Sequence, residues 1–298
     1  MGDGPVPRRA TAVLALSLAT ASWGASYVVA KDLLHRYDPL SILAVRFLLG
    51  TLVLWLLHPR AVARLPRDSR RHAAIIGVVL GAAQVPHYFG VRESTASVAA
   101  FLIGTYVVMT PIVDWALYRA RVSRTTAVGC LLALAGLALF AGGGSVSLLG
   151  LVLCLSAALL YAVQISTVGA WVPATNLWGF TTVTMAAMTV VVTPPSLLGG
   201  VELPSSAADW TGILYLALVA GVAGVALQSW GQRHIPATQA AVILVMEPVW
   251  ATALAVVFLG DRLDAQLLLG GAVLLVANVV VARGSRTRPQ EGPLAGRP

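Results

Sequence analysis

TQAAVILVMEPVWATALAVVFLG, Thr238–Gly260, is an apolar run long enough to cross a bilayer, and it carries one carboxylate, Glu247, near its middle. From Pro236 to Glu247 is eleven residues, roughly 16 Å at a helical rise of about 1.5 Å, or about half of a hydrocarbon core ~30 Å thick. A glutamate side chain is too short to reach water from that depth. An acid there costs on the order of 2.5–3.5 kcal/mol on insertion scales, so it must face a polar cavity, find a partner or carry a proton. Pro248 removes one backbone N–H and crowds the preceding turn, which predicts a kink at the level of the acid.

The whole chain has the character of this run. Of its 298 residues 58% are hydrophobic and only 11% charged, where a soluble domain carries about 25% charged residues. This is the composition of an all-α integral membrane protein. Apolar segments at about 11–30, 39–57, 73–91, 95–118, 124–141, 148–168, 177–198, 210–230, 237–259 and 265–282 read as ten transmembrane helices, the weakest separation being Arg92-Glu93-Ser94. The formal charge of +8 does not signal nucleic acid, because the arginines fall in short gaps between apolar runs. With the N-terminus in the cytoplasm, fifteen Lys and Arg lie on that side and four (Lys31, Arg36, Arg92 and Arg262) on the other, with Arg46 inside a span. That asymmetry places both termini in the cytoplasm of a multi-pass protein of the cell inner (plasma) membrane. Cys130 and Cys154 lie within apolar segments and offer neither a disulfide framework nor a metal motif. The first apolar stretch is too long for a signal peptide and lacks a cleavage site.

The sequence also repeats itself. Advancing Ser97–Leu134 by 141 positions lays Leu102 on Ile243, Tyr106 on Glu247, Arg121 on Arg262 and Gly129 on Gly270, and an offset of 138 lays Trp23-Gly24 on Tyr161-Ala162. Two halves, 1–144 and 145–283, each of five helices, are expected, followed by a disordered cytoplasmic tail at 284–298. Five is odd, so the second half enters the membrane inverted, and inverted repeats bring their binding site to the interface of the halves near the midplane. Tyr106 is then expected at the depth of Glu247, across the pseudo-twofold axis.

Certain stretches carry a family resemblance: ASWGASYVVAK (Ala21–Lys31), PLSILAVRF (Pro39–Phe47), STASVAAFLIGTYVVMTPIV (Ser94–Val113) and TQAAVILVMEPVWATALAVVFLGDRLDAQLLLGGAVLL (Thr238–Leu275). Together they resemble the EamA-type members of the drug/metabolite transporter superfamily, with Asp261 where the family usually has Glu. The likeness extends over about residues 11–283. It implies ten helices as two inverted five-helix repeats, a central cavity lined mainly by helices 1, 3, 4, 6, 8 and 9, and export or exchange of a small metabolite such as an amino acid, an amine or a drug-like compound.

Each polar residue inside a span has a bland and a functional reading. Glu247 is either a lock beside a proline or a substrate and coupling group; intramembrane acids favour the second. Arg46, about 10 Å into the second helix, can snorkel to the interface or fix packing, or turn inward to meet cargo or Glu247. Gln84, His87 and Tyr88 share one helical face and serve either a cavity or an aromatic belt. Asp114 reads as an interfacial partner of Arg119 and Arg121. Trp23, Ser26 and Tyr27 on the first helix, and Tyr161 and Gln164 on the sixth, are packing by default, but the repeat pairs Trp23 with Tyr161 and raises both as candidates. No nucleophile elbow, P-loop, metal cluster or nucleotide fingerprint is present, so neither an enzyme, a cofactor nor a primary pump is expected. The expectation is a gradient-driven exporter or exchanger working by alternating access, with protons as one candidate driving ion. A non-transporting membrane sensor or scaffold of the same fold is the alternative. The expected partners are a small-molecule substrate and the lipid bilayer, and a homodimer is left open.

Overall fold

The structure, a computed structural model, describes residues 5–119, 124–142, 146–172, 176–234, 243–244, 246–260 and 265–284. Among these, regular structure is helical: α1 Pro5–Leu34, α2 Pro39–Leu57, α3 Arg67–Arg92, α4 Ala96–Gly104, α5 Tyr106–Tyr118, α6 Arg124–Gly142, α7 Leu148–Trp171 and α8 Leu177–Gly199. There follow α9 Ala207–Leu214, a π-helical segment Tyr215–Ala223, α10 Gly224–Gly231, α11 Met246–Leu259 and α12 Ala265–Gly284. Every apolar segment expected from the sequence contains a helix. Seven of these rods are long and apolar enough to cross a membrane: Ala10–Leu34, Pro39–Leu57, Arg67–Arg92, Ala96–Leu117, Leu148–Val168, Leu177–Gly199 and Ala207–Gly231. Three further stretches, Ala127–Gly136, Met246–Leu259 and Leu268–Ala277, are apolar but shorter. The kink expected at Pro248 depends on residues 235–242 and 245, which lie outside the described residues, as do Arg121, Asp261, Arg262, Asp264 and the tail after 284.

Local chemistry starts and breaks these helices. Asp38 caps α2 by accepting from Leu40 N at 2.9 Å, and Ser147 caps α7 by accepting from Gly150 N at 2.9 Å. Asn176, in the left-handed region at φ 58°, caps α8 by accepting from Gly179 N at 3.1 Å. The rod over 96–118 is interrupted at Thr105. Pro111 has no N–H to give the preceding turn, and the Thr105 and Thr110 hydroxyls turn back onto the carbonyls of Leu102 (2.6 Å) and Tyr106 (2.7 Å).

Packing runs mainly between helices that precede and helices that follow residues 143–145. α6 lies along α12, α3 against α7 and α8, α2 against α8, α1 against α10 and α11, α5 against α7, and α4 against α11. In a membrane the apolar effect does not drive helices together, so close approach through small residues must. Gly77 on α3 illustrates it: a Cβ there would lie 2.3 Å from Thr184 O and 2.6 Å from Ala187 Cβ of α8. The outward faces stay apolar, with Leu131, Leu134, Leu148, Val190, Leu198, Val257 and Phe258 exposed, as a lipid-facing surface requires.

The two ends of the bundle are tied differently. At one end Arg36 pairs with Asp32 and with Asp209 (2.8 Å), Tyr37 donates its hydroxyl to Asp209 (2.8 Å), and Asp38 N donates to Glu202 Oε2 (2.8 Å). The hydrogen bond to Asp32, and then the one to Asp209, push the Arg36 pKa above its ordinary value. At the other end, among the described residues, Asn176 Nδ2 donates to Ala61 O at 2.7 Å, and His58 and His72 stack on Trp178 and Trp171.

Candidate functional site

A cavity opens among α1, α2, α3, α4, α5, α7, α8, the π-helical segment, α10 and α11, with about 840 Å³ of empty space including the solvent at its opening. Each of the nine residues singled out from the sequence lines it: Trp23, Arg46, Gln84, His87, Tyr88, Tyr106, Tyr161, Gln164 and Glu247. Tyr106 reaches the cavity because the break at Thr105 ends one helix and starts the next at its own position. Glu247 is brought there by α11, which packs against α1 at Gly24. A Cβ on Gly24 would lie 2.5 Å from Trp250 Cβ and 3.1 Å from Glu247 O.

Glu247 is 8% exposed and accepts a hydrogen bond from the Tyr106 hydroxyl at 3.4 Å. It has no cationic partner within 4 Å among the described residues. The Tyr27 hydroxyl is buried and faces Glu247 closely enough to act on its carboxylate, although it meets no partner in strict hydrogen-bond geometry among the described residues. From Tyr106 a string of rings leads away from the acid. Tyr161 follows at 6.4 Å, His87 at 5.8 Å from Tyr161 and Tyr88 at 5.6 Å from His87, all edge-on. His87 Nδ1 and the Tyr161 hydroxyl share a hydrogen bond of 2.7 Å. The string ends at Arg46, whose Nη1 donates to the Tyr88 hydroxyl and whose guanidinium sits 4.6 Å from the Phe47 ring centroid.

Three open alternatives from the sequence close here. Arg46 does not snorkel: it is 6% exposed and turned into the cavity. Gln84, His87 and Tyr88 line the cavity and form no aromatic belt. Trp23 lines the cavity too, but its indole N–H is committed, donating to the Ala220 carbonyl at 2.8 Å. That carbonyl belongs to the π-helical segment, and the Tyr215 hydroxyl ties the same segment back by donating to Ser22 O at 2.8 Å. Asp114 is not paired with Arg119, which lies instead over the Trp115 ring at 6.0 Å.

Sequence reasoning left out of the site Tyr27, Gln228, Phe47, Met185 and Met188, all of which line the cavity. Gln228 carried a signal. It is an amide in an apolar run, and it stands 141 positions after His87, the offset that relates Tyr106 to Glu247. The rest of the lining follows the same arithmetic. At 141, Leu80 matches Gly221, Gln84 matches Val225 and Ile103 matches Leu244; at 138, Ser26 matches Gln164, Tyr27 matches Ile165 and Phe47 matches Met185. With Trp23–Tyr161, His87–Gln228 and Tyr106–Glu247, all but five lining residues have a mate that also lines the cavity. Arg46 and Tyr88 are among the five without one.

The chain matches a family model described as "EamA-like transporter family" twice, over residues 10–142 and 148–283. An uncharacterized transporter of Archaeoglobus fulgidus is 26% identical over 275 residues, covering 92% of this chain and 87% of that protein. A probable terminal-alkyne amino-acid exporter of Streptantibioticus cattleyicolor is 38% identical over 56 residues, 19% of either chain. A solved crystal structure with 18% sequence identity superimposes with a TM-score of 0.64 over 91% of this chain and 96% of its own, a likeness of fold.

Proposed function

Because the chain belongs to the EamA-like transporter family, we propose that this multi-pass membrane protein is a secondary transporter moving a small polar or amphipathic metabolite by alternating access. In this reading ten helices form two inverted repeats, 1–144 and 145–283. Both termini lie in the cytoplasm of the plasma membrane, and net movement is outward. The observation that carries the reading is the cavity: a buried acid, Glu247, lies in a chamber whose lining residues come in pairs one repeat apart. The doubled family match and the packing of each half on the other support the same division. Alternating access follows as the rocking of two similar halves about a site they share.

Glu247 is the coupling group in this proposal. With a phenolic hydroxyl hydrogen-bonded to it and no cation within 4 Å among the described residues, it can exchange a proton for cargo if the two compete for the carboxylate. The probable terminal-alkyne amino-acid exporter among the relatives supports amino acids among the cargo candidates, beside amines and drug-like compounds. The test is flux into everted vesicles with and without a proton gradient, for wild type and Glu247→Gln. The variant is expected to keep substrate exchange and lose uphill transport, and wild-type flux should depend on pH where the variant's does not. Uphill, proton-driven transport by Glu247→Gln at the wild-type rate would make Glu247 a helix lock. Absence of flux with every cargo class would leave a sensor or scaffold.

A further inference from the structure

We propose that Arg46 is the residue that recognises a carboxylate on the cargo, so that simple amines are excluded. The inference rests on reading the cavity as a cargo site.

Arg46 is a permanent cation, 6% exposed, inside the bundle. Among the described residues its company is neutral: the Tyr88 hydroxyl takes Nη1, the Phe47 and Tyr88 rings lie 4.6 and 5.3 Å from the guanidinium carbon, and Nε is buried without a hydrogen-bond partner. No carboxylate stands within 4 Å of it among the described residues, although Glu247 lines the same cavity. Between the two charges stands the string Tyr88, His87, Tyr161 and Tyr106. A cation without a counter-charge in such surroundings is costly to maintain unless a visiting anion completes it. The guanidinium fork matches the two oxygens of a carboxylate.

The repeat supplies a second, independent argument. Position 46 corresponds to Thr184, and position 88 to Ser229, at the offsets that pair the rest of the lining. Neither mate lines the cavity; Thr184 is 1% exposed and bonded to the Phe180 and Ala73 carbonyls. The Arg46–Tyr88 end is therefore not a product of the duplicated architecture. Gln84 Oε1, which lines the same cavity and is buried without a partner among the described residues, is an acceptor with a place for a donor on the same cargo. With its carboxylate on Arg46, a molecule that also carries an amine would direct it along the string of rings toward Glu247.

The test is binding by the purified full-length protein in detergent, read as thermal stabilisation. The probes are 3-phenylpropanoate and 3-phenylpropanamide, equal in size and different in charge. Wild type should bind the acid at least about tenfold more tightly than the amide, as expected for a hydrogen-bonded charge. Arg46→Lys should keep a reduced preference, and Arg46→Gln should bind the two alike. If Arg46→Gln does not fold, the comparison of acid with amide on wild type still decides. Equal stabilisation by both probes, no stabilisation by the acid at millimolar concentration, or an unchanged preference in Arg46→Gln overturns the proposal. Because binding is read without flux, a protein that binds the acid but moves no cargo refutes the transport reading and leaves the carboxylate site standing.

Discussion

Adding one methyl group at Gly24 should separate the helix that carries Glu247 from α1. A Cβ at position 24 would stand 2.5 Å from Trp250 Cβ, 2.9 Å from Ala251 N and 3.1 Å from Glu247 O, where ordinary contact begins at 3.4 Å. The helices must therefore part by roughly 0.9 Å, the shortfall between 3.4 and 2.5 Å. Two of the three obstacles are backbone atoms, which no rotamer change can move aside. Overpacking of this kind costs about 1–3 kcal/mol, more than the ~1 kcal/mol that Gly→Ala returns in a helix interior. The hydrogen bond from Tyr106 to Glu247 is already 3.4 Å long, so a displacement of the helix that carries Glu247 changes a contact with little slack. Gly24→Ala is thus expected in the membrane, with a lower Tm in detergent and a large loss of flux. Gly199→Ala is the control, since a Cβ there meets nothing within 4 Å. Wild-type Tm and flux in Gly24→Ala would refute the claim that this contact sets the position of the acid.

Trp23→Phe keeps an aromatic face in the cavity and removes the donor to Ala220 O; a loss of about 0.5–1.5 kcal/mol in stability is expected, and an unchanged Tm would show that the tie to the π-helical segment contributes nothing. Reporter fusions after Arg71 and Arg124 should report cytoplasm, and fusions near Asp38 and Val201 the outside; a cytoplasmic signal at Val201 would break the inverted-repeat arrangement. Asp209→Asn leaves the Tyr37 and Ser206 contacts a carbonyl to reach but removes the charge facing Arg36. Because Arg36 is half exposed, the loss should stay within about 1 kcal/mol, and Tm measurements on Asp209→Asn against Arg36→Met would expose any larger coupling.

How far the sequence could be read depended on what each residue's signal was. Helix positions were legible because apolar length is a property of the chain itself, and Glu247 because a short acid at the midplane has few places to go. Tyr106 was reached through the repeat. The direction of Arg46 was not legible: a long side chain 10 Å from the interface satisfies a snorkelling count as readily as an inward one, and only the packing of Phe47 and Tyr88 around it decides. The role of Trp23 was half legible. Its side chain lines the cavity, but its hydrogen bond goes to a main-chain carbonyl of a π-helical segment, and YLALVAGVA (Tyr215–Ala223) is apolar throughout, with nothing to mark the change of helical pitch. Apolar lining residues such as Phe47, Met185 and Met188 give no sign that separates them from lipid-facing neighbours.

The unlike ends of the bundle give the molecule an unequal response to its surroundings. One end is held through Arg36, Asp32 and Asp209; with the Arg36 pKa raised, its charge persists at any pH a cell meets. Dissolved salt is another matter. At about 0.1 M the screening length falls to ~10 Å, and charge pairs at a wet surface weaken. The end held by Asn176, Ala61 and the stacked imidazole and indole rings depends far less on ionic strength. The salt concentration of the medium bathing the Arg36 end therefore acts on the contacts of that end more than on those of the other, without any group binding or releasing a proton.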